Sequence, residues 1–282
     1  MKPSKQPQPR PWRSTIVAAA CLLPVMAAAP LQAERSPTDL EREEFLRRAH
    51  IGRTQIIAAG VTSPLRATLS LDGLTHDAQI QRVDISLRRF RTKKRTYTNF
   101  RDCYKYNIVA YRLDRLLGLN MVPVSVERRY RSDKAALTWW VDDVLMTDAE
   151  RHQRDIPPPD LAIWNDQTHQ ARVFNQLIYN DDPNLGNFLI GTDWRLWLID
   201  FTRAFRVHRQ LREPGLLQRV DRRLYQGLQA LSLETLERET RGYLSRPETR
   251  ALMVRRDSIL DILASRIAAL GESAVVCDLP GH

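Results

Sequence analysis

The sequence has little cysteine. Cys21, Cys103 and Cys277 are too few to staple a small disulfide scaffold, and they lack the paired spacing of a structural zinc site. No acidic residue precedes Glu34. Beyond residue 33 no apolar run is long enough to span a bilayer, which excludes a multi-span membrane protein. There is no G-x-S-x-G segment and no catalytic Cys/His segment, so a hydrolase reading has no support beyond bare carboxylates. Basic helices with interleaved aromatics are missing too, and no specific nucleic-acid partner is expected. What is present is 282 residues with 43% apolar and 27% charged side chains, enough to bury a globular core and unlike a disordered chain.

The first residues read as an address. Lys2, Lys5, Arg10 and Arg13 precede an apolar stretch from Ile16 to Pro30, and small residues lie near a cut after Ala33. That order describes a secretory signal over residues 1–33, so the protein is expected to be exported, periplasmic or secreted. The alternative is an uncleaved anchor, through which alone the chain would meet a membrane; Pro24 and Pro30 interrupt the stretch and count against it. The net charge of +10 suits phosphorylated or acidic partners, or a membrane surface, without choosing among them. In an oxidising compartment Cys103 and Cys277 could bridge distant parts of the chain, with two buried free thiols the equal alternative.

Along the rest of the chain, Thr38-Asp39-Leu40-Glu41 has the form of a capping box opening a helix to about Ala49. Residues Leu65 to Leu71 and Ala78 to Ile85 alternate apolar with polar around an Asp72-Gly73 turn, which predicts a hairpin. Residues 88–101, with Arg88, Arg89, Arg91, Lys93, Lys94 and Arg95, read as a solvated basic loop. A helix is predicted from Cys103 to Leu117 with Gly118 as its stop, then strands at Met121–Val126 and Leu137–Val144. Beyond Pro157-Pro158-Pro159 a helix spans Leu161 to Tyr179. Two short strands, Phe188–Ile190 and Leu196–Ile199, follow around Gly191-Thr192, and three helices broken near Ser232 and Pro247 close the chain. This predicts an α+β protein of two lobes with a cleft between them: a β-rich N-lobe over residues 34–144 with one long helix, and a helical C-lobe over 145–282.

The chemistry concentrates in residues 179–205. Asp181, Asp182, Asn184 and Asn187 fall between a helix and a hairpin, and Asp200 ends that hairpin 13 residues after Asn187. A short hairpin folds its ends together, so Asn187 and Asp200 should lie side by side, with Asp182 on the loop that feeds them. One carboxylate facing a hydroxyl, and an Asn and an Asp sharing a hard cation, is what phosphoryl transfer requires. The same residues also make ordinary turns, and Asn-Leu-Gly-Asn has that chemistry in its own right.

Asp182-x-x-x-x-Asn187, followed by an apolar strand ending in Leu198-Ile199-Asp200-Phe201, resembles the catalytic loop and metal-binding segment of atypical kinases. Its pattern is similar to the HipA-like, phosphoinositide-kinase-like and secretory-pathway casein kinase families. Residues Tyr106 to Gly118 through Val122-Pro123 resemble their N-lobe helix and the strand after it, and Trp139-Trp140-Val141-Asp142 falls where the hinge between lobes would be. The resemblance implies a bilobal protein-kinase-like fold. It implies ATP or another nucleotide and Mg²⁺ or Mn²⁺ as cofactors, with a hydroxyl-bearing protein or small molecule as acceptor. Asp182 takes the role of catalytic base, with Asp181 as fallback, and Asn187 and Asp200 become metal ligands.

Two departures bear on activity. The helix Glu and strand Lys that pair at the nucleotide phosphates fall at Asn107 and Gln81, so these two residues, with Lys105 as a replacement cation, are the cofactor-binding candidates. Lys105 is two residues from Asn107 and so on a different helix face. The phosphate loop, Gly60-Val61-Thr62-Ser63-Pro64, has one glycine and also reads as a plain turn. These departures leave two functional expectations, an exported metal-dependent phosphotransferase and a pseudokinase binding module that transfers nothing. A third is a surface protein whose Arg-rich loop holds anionic polymers.

Overall fold

The computed structural model describes residues 36–57, 63–91 and 96–279; the expected signal, Gly60–Thr62 and Lys93–Arg95 lie outside them. Residues from Pro37 onward form one compact unit. Helix α1 (Asp39–Arg48) starts as the sequence requires: the Thr38 hydroxyl accepts the Glu41 N–H at 3.3 Å, and the Glu41 carboxylate accepts the Thr38 N–H at 2.7 Å. Strand β1 (His50–Ile56) follows, then β2 (Leu65–Leu71) and β3 (Leu74–Gln81). Asp72 (φ 48°) and Gly73 (φ 85°) both take the left-handed conformation of a tight two-residue hairpin turn.

Residues 84–103 depart from expectation. The basic loop is a two-stranded antiparallel ribbon of β4 (Asp84–Arg91) and β5 (Thr96–Cys103), standing apart from the main sheet. β4 is exposed along nearly its whole length and burial is confined to the base of β5, at Phe100, Asp102 and Cys103, so no continuous apolar face marks the ribbon in the sequence. The ribbon feeds helix α2 (Lys105–Leu116), whose Tyr106, Val109 and Leu113 are buried and which Gly118 terminates at φ 65°. Strands β6 (Ser125–Tyr130) and β7 (Asp133–Trp139) complete a five-stranded antiparallel sheet of order β1-β2-β3-β7-β6. The expected strand at Met121–Val126 is therefore shifted: Met121 and Val122 are buried loop residues whose N–H groups are bound by the Asp114 side chain at 2.9 and 3.1 Å.

That contact makes stability depend on pH. Asp114 is wholly buried, and burial pushes its pKa from 3.8 up to about 6, although the Arg115 guanidinium and the two amides pull the other way. The folded protein then holds this proton more tightly than the unfolded chain does. Asp114's contribution to stability is greatest below pH 3.8 and falls as pH rises towards about 6. Asp114→Asn keeps an oxygen for both amides and cannot ionise. Its urea midpoint, relative to wild type, is expected to gain between about pH 4 and about pH 7; an unchanged difference would remove Asp114 as the titrating group.

Residues 140–143 link the sheet to β8 (Val144–Thr147) and the short helix α3 (Asp148–Gln153). Helix α4 (Leu161–Leu177) then leads to β9 (Phe188–Gly191) and β10 (Leu196–Leu198), which pair with β8 in the order β10-β9-β8. A two-residue parallel pair, β11 (Val220–Asp221) with β12 (Val276–Cys277), frames the remaining helices α5 (Arg222–Ala230), α6 (Leu233–Glu239), α7 (Arg246–Leu270) and α8 (Glu272–Val275). A sheet-rich N-terminal part and a helical C-terminal part match the expected α+β organisation. Cys103 and Cys277 are both buried free thiols, and burial raises their pKa values to about 11 and about 12. Among the described residues no helix is long and apolar enough to cross a membrane.

Candidate active site

The loop after α4 is fixed from behind. Tyr179 turns the chain at φ 47°, and buried Asn180 donates to the Asn175 side chain at 2.9 Å while its own oxygen accepts the Asp182 N–H at 3.1 Å. Asn184 accepts the Gly186 N–H at 2.7 Å and, through its carbonyl, the Asn187 N–H at 2.9 Å. The turn chemistry read in Asn-Leu-Gly-Asn is therefore real, and it is what delivers Asn187 to the start of β9. Across the hairpin Leu198 faces Phe188, and the Ile199 N–H reaches the Asn187 carbonyl at 3.0 Å. Asn187 and Asp200 are consequently neighbours at the mouth of the hairpin.

Asp200 sits in the left-handed region (φ 59°), which a short polar side chain tolerates better than most. Beyond it the chain runs back along the loop. The Phe205 N–H meets the Ile178 carbonyl at 2.6 Å, and the Asp181 N–H meets the Arg203 carbonyl at 3.4 Å. Arg203 bridges two acids, with Nε to Asp102 at 3.1 Å and Nη1 to Asp182 at 3.0 Å. Burial raises the Asp200 pKa; hydrogen bonds from Thr202 oppose the shift, and the nearby charges of Asp102 and Asp182 add to it. Two carboxylates thus share one guanidinium while Asp200 lies close enough to feel their charge, and Oδ1 of Asp102 is buried with no hydrogen-bond partner. Asp102 and its link to Arg203 were missed in the sequence, where a lone acid in an arginine-rich segment carries no signal.

This donor set fits a hard divalent cation: a carboxylate, an amide oxygen, uncompensated negative charge and an orphaned carboxylate oxygen. Among the described residues no three His, Cys, Asp or Glu side chains form a ready cage, so a cation there would need further oxygen ligands from outside the chain.

At both replaced positions the side-chain oxygen accepts backbone N–H groups. Gln81, at the end of β3, is buried, and its side-chain oxygen accepts the N–H groups of Arg82 at 2.9 Å and Val83 at 3.1 Å. Asn107, buried on α2, accepts the Phe201 N–H at 2.8 Å and so ties the helix to the residue after Asp200. Lys105 is half-buried at the first turn of α2. Arg82 and Arg203 line a cavity of about 390 Å³ under the ribbon, together with Ser63, Val83 and Asp102.

A second cavity, of about 430 Å³, lies between the sheet and the β9–β10 hairpin, walled by Ile57, Gln79, Trp140, Asp142, Leu189 and Ile199. Its link segment is braced. His76 stacks on Trp139 with centroids 3.7 Å apart, and its ring nitrogens lie 2.7 Å from the Asp77 carbonyl and 2.7 Å from the Asp142 carboxylate. Arg66, paired with Asp77 at 2.6 Å, lies 4.3 Å over the Trp140 ring. The slot is mainly apolar, walled by aromatic and aliphatic side chains, and Ile199 on its wall directly precedes Asp200.

No family model matches the chain, and no curated protein matches it in sequence. Solved structures do match. A Fam20 protein of hydra, solved with sugar, superposes with a TM-score of 0.63 at 13% identity, covering 85% of this chain and 92% of that one. The fold is kinase-like. The Golgi casein kinase with Mn and ADP bound gives 0.58 at 11% identity over 84% of this chain and 78% of that one. The proinflammatory kinase CtkA of Helicobacter pylori gives 0.52 at 9% identity over 80% and 98%. The kinase-like fold expected from the Asp182–Asn187 and Leu198–Phe201 patterns is therefore present.

Proposed function

We propose that the protein is an exported, metal-dependent phosphotransferase that moves the γ-phosphoryl group of ATP or another nucleotide to a hydroxyl on a protein or small molecule. What supports this reading is a kinase-like fold in which a hairpin sets Asn187 beside Asp200 and the charge of Asp182 is felt at Asp200, with a cavity of about 430 Å³ next to Ile199. Asn187 and Asp200 would hold Mg²⁺ or Mn²⁺, which when bound neutralises phosphate charge. Asp182 accepts the proton of the acceptor hydroxyl as its oxygen bonds to the γ-phosphorus and the bond to the nucleoside diphosphate breaks. Arg203 orients Asp182, and Asp102 holds Arg203 to the ribbon. Export rests on the basic and apolar order of residues 1–33.

The pseudokinase reading is favoured by Gln81, whose oxygen is spent on its own backbone where an ammonium would reach phosphate. Thermal unfolding with nucleotide, with and without Mg²⁺ or Mn²⁺, tests the shared part of both readings. Stabilisation that needs both ligands, and that Asp200→Ala abolishes, is expected. Stabilisation unchanged in Asp200→Ala would remove the site.

A further inference from the structure

A cavity of about 360 Å³ lies between the ribbon, the first turn of α2, residues 205–208 and the start of α7. It shares no lining residue with the cavity at the 140–143 link, and only Leu87 with the one under the ribbon. Arg88, Arg101 and Arg206 line it. Arg206 is only 7% exposed, and its side chain makes one hydrogen bond among the described residues, to the Arg101 carbonyl at 3.3 Å. The Nε of Arg101 is buried without a partner. Behind the wall, wholly buried Arg255 donates to the carbonyls of Arg206 at 3.0 Å and of His208, and it too meets no carboxylate among the described residues.

The lining contains a single acid, Glu248, and both its oxygens are engaged. One accepts the Tyr106 hydroxyl; the other accepts the Ser245 N–H at 2.7 Å and hydroxyl at 2.6 Å. None of Arg88, Arg101, Arg206 and Arg255 forms an ion pair among the described residues; Arg206 and Arg255 are buried, where cations ordinarily require one, and Arg101 feels the Glu248 charge without a direct contact. The positive end of α7, a helix of 25 residues, adds to the same field. We propose that this cavity binds a phosphate-class oxyanion, which the planar donor forks of Arg88, Arg101 and Arg206 are shaped to hold. The anion is free inorganic phosphate or a phosphomonoester carried by a ligand, since both present the same oxygens. The site stands apart from phosphoryl transfer and does not depend on it.

Titration calorimetry on the full protein without nucleotide, using inorganic phosphate and phosphoserine as probes and chloride at matched ionic strength as control, tests this. Saturable phosphate binding is expected, about tenfold or more weaker in Arg88→Gln and in Arg101→Gln and undiminished in Asp200→Ala. Tighter binding of phosphoserine identifies a monoester as the source, and equal or weaker binding identifies the free ion. Arg88 is exposed, so Arg88→Gln keeps the test open should Arg101→Gln fail to fold. Binding no stronger than chloride produces, or equal in both arginine variants and wild type, overturns the proposal.

Discussion

Asp182→Asn is expected to lower phosphoryl transfer by about 10²–10⁴-fold while leaving metal-dependent nucleotide stabilisation in place. Asparagine preserves the shape of the side chain, and the backbone of residue 182 is held by Asn180 at 3.1 Å, so the loop has no reason to move. What is lost is the proton acceptor, together with the carboxylate charge that Arg203 grips at 3.0 Å. Transfer of labelled γ-phosphate, scored against water and the protein's own hydroxyls as acceptors, separates kcat from binding. A variant that transfers at the wild-type rate would show that Asp182 is not the base. A wild-type protein that binds nucleotide with metal and transfers nothing would select the pseudokinase reading, in which the side-chain oxygens of Gln81 and Asn107 hold backbone N–H groups.

The largest stability loss is expected at Arg255. Its side chain is wholly buried and donates to the carbonyls of Leu177 at 2.7 Å, Arg206 at 3.0 Å and His208, joining the end of α4 to the chain that returns after Asp200. Burial pulls its pKa down to about 10, which still leaves it charged at neutral pH. Replacing a buried ion pair with apolar residues often costs little, because both charges leave together. Here the partners are backbone carbonyls that no substitution removes. Arg255→Leu strands these acceptors at about 1–3 kcal/mol apiece, so a loss above about 3 kcal/mol is expected after the relief of desolvating the cation is set against it. Urea unfolding measures it, and a loss below about 1 kcal/mol would mean that the carbonyls find other donors.

Local chemistry was readable where it stands alone. The Thr38 box, the Asp72-Gly73 turn, the Gly118 stop and the β9–β10 hairpin all depend on neighbours within a few residues, and the structure has them. The ribbon was not readable, because its first strand is exposed almost throughout and so shows no apolar alternation, and its arginines look like a loop. Strand β1 was hidden similarly, since most of its residues are exposed at the sheet edge. The site followed the same division. Asn187 and Asp200 are neighbours because a hairpin of fixed register joins them, which spacing alone conveys. The bond from Arg203 to Asp102 spans 101 residues and arises only when ribbon and loop pack together, and the arginine cavity behind α2 draws its residues from still more distant segments.

In the proposed site Asn187 and Asp200 hold one divalent cation beside Asp182. The most direct measurement is an anomalous difference map from crystals grown with Mn²⁺ and a nucleoside diphosphate. A manganese peak is expected within about 2.0–2.3 Å of the Asp200 carboxylate and the Asn187 side-chain oxygen, with phosphate oxygens completing the shell. A manganese peak bound elsewhere in the cleft, with Asn187 and Asp200 not ligating it, would contradict it.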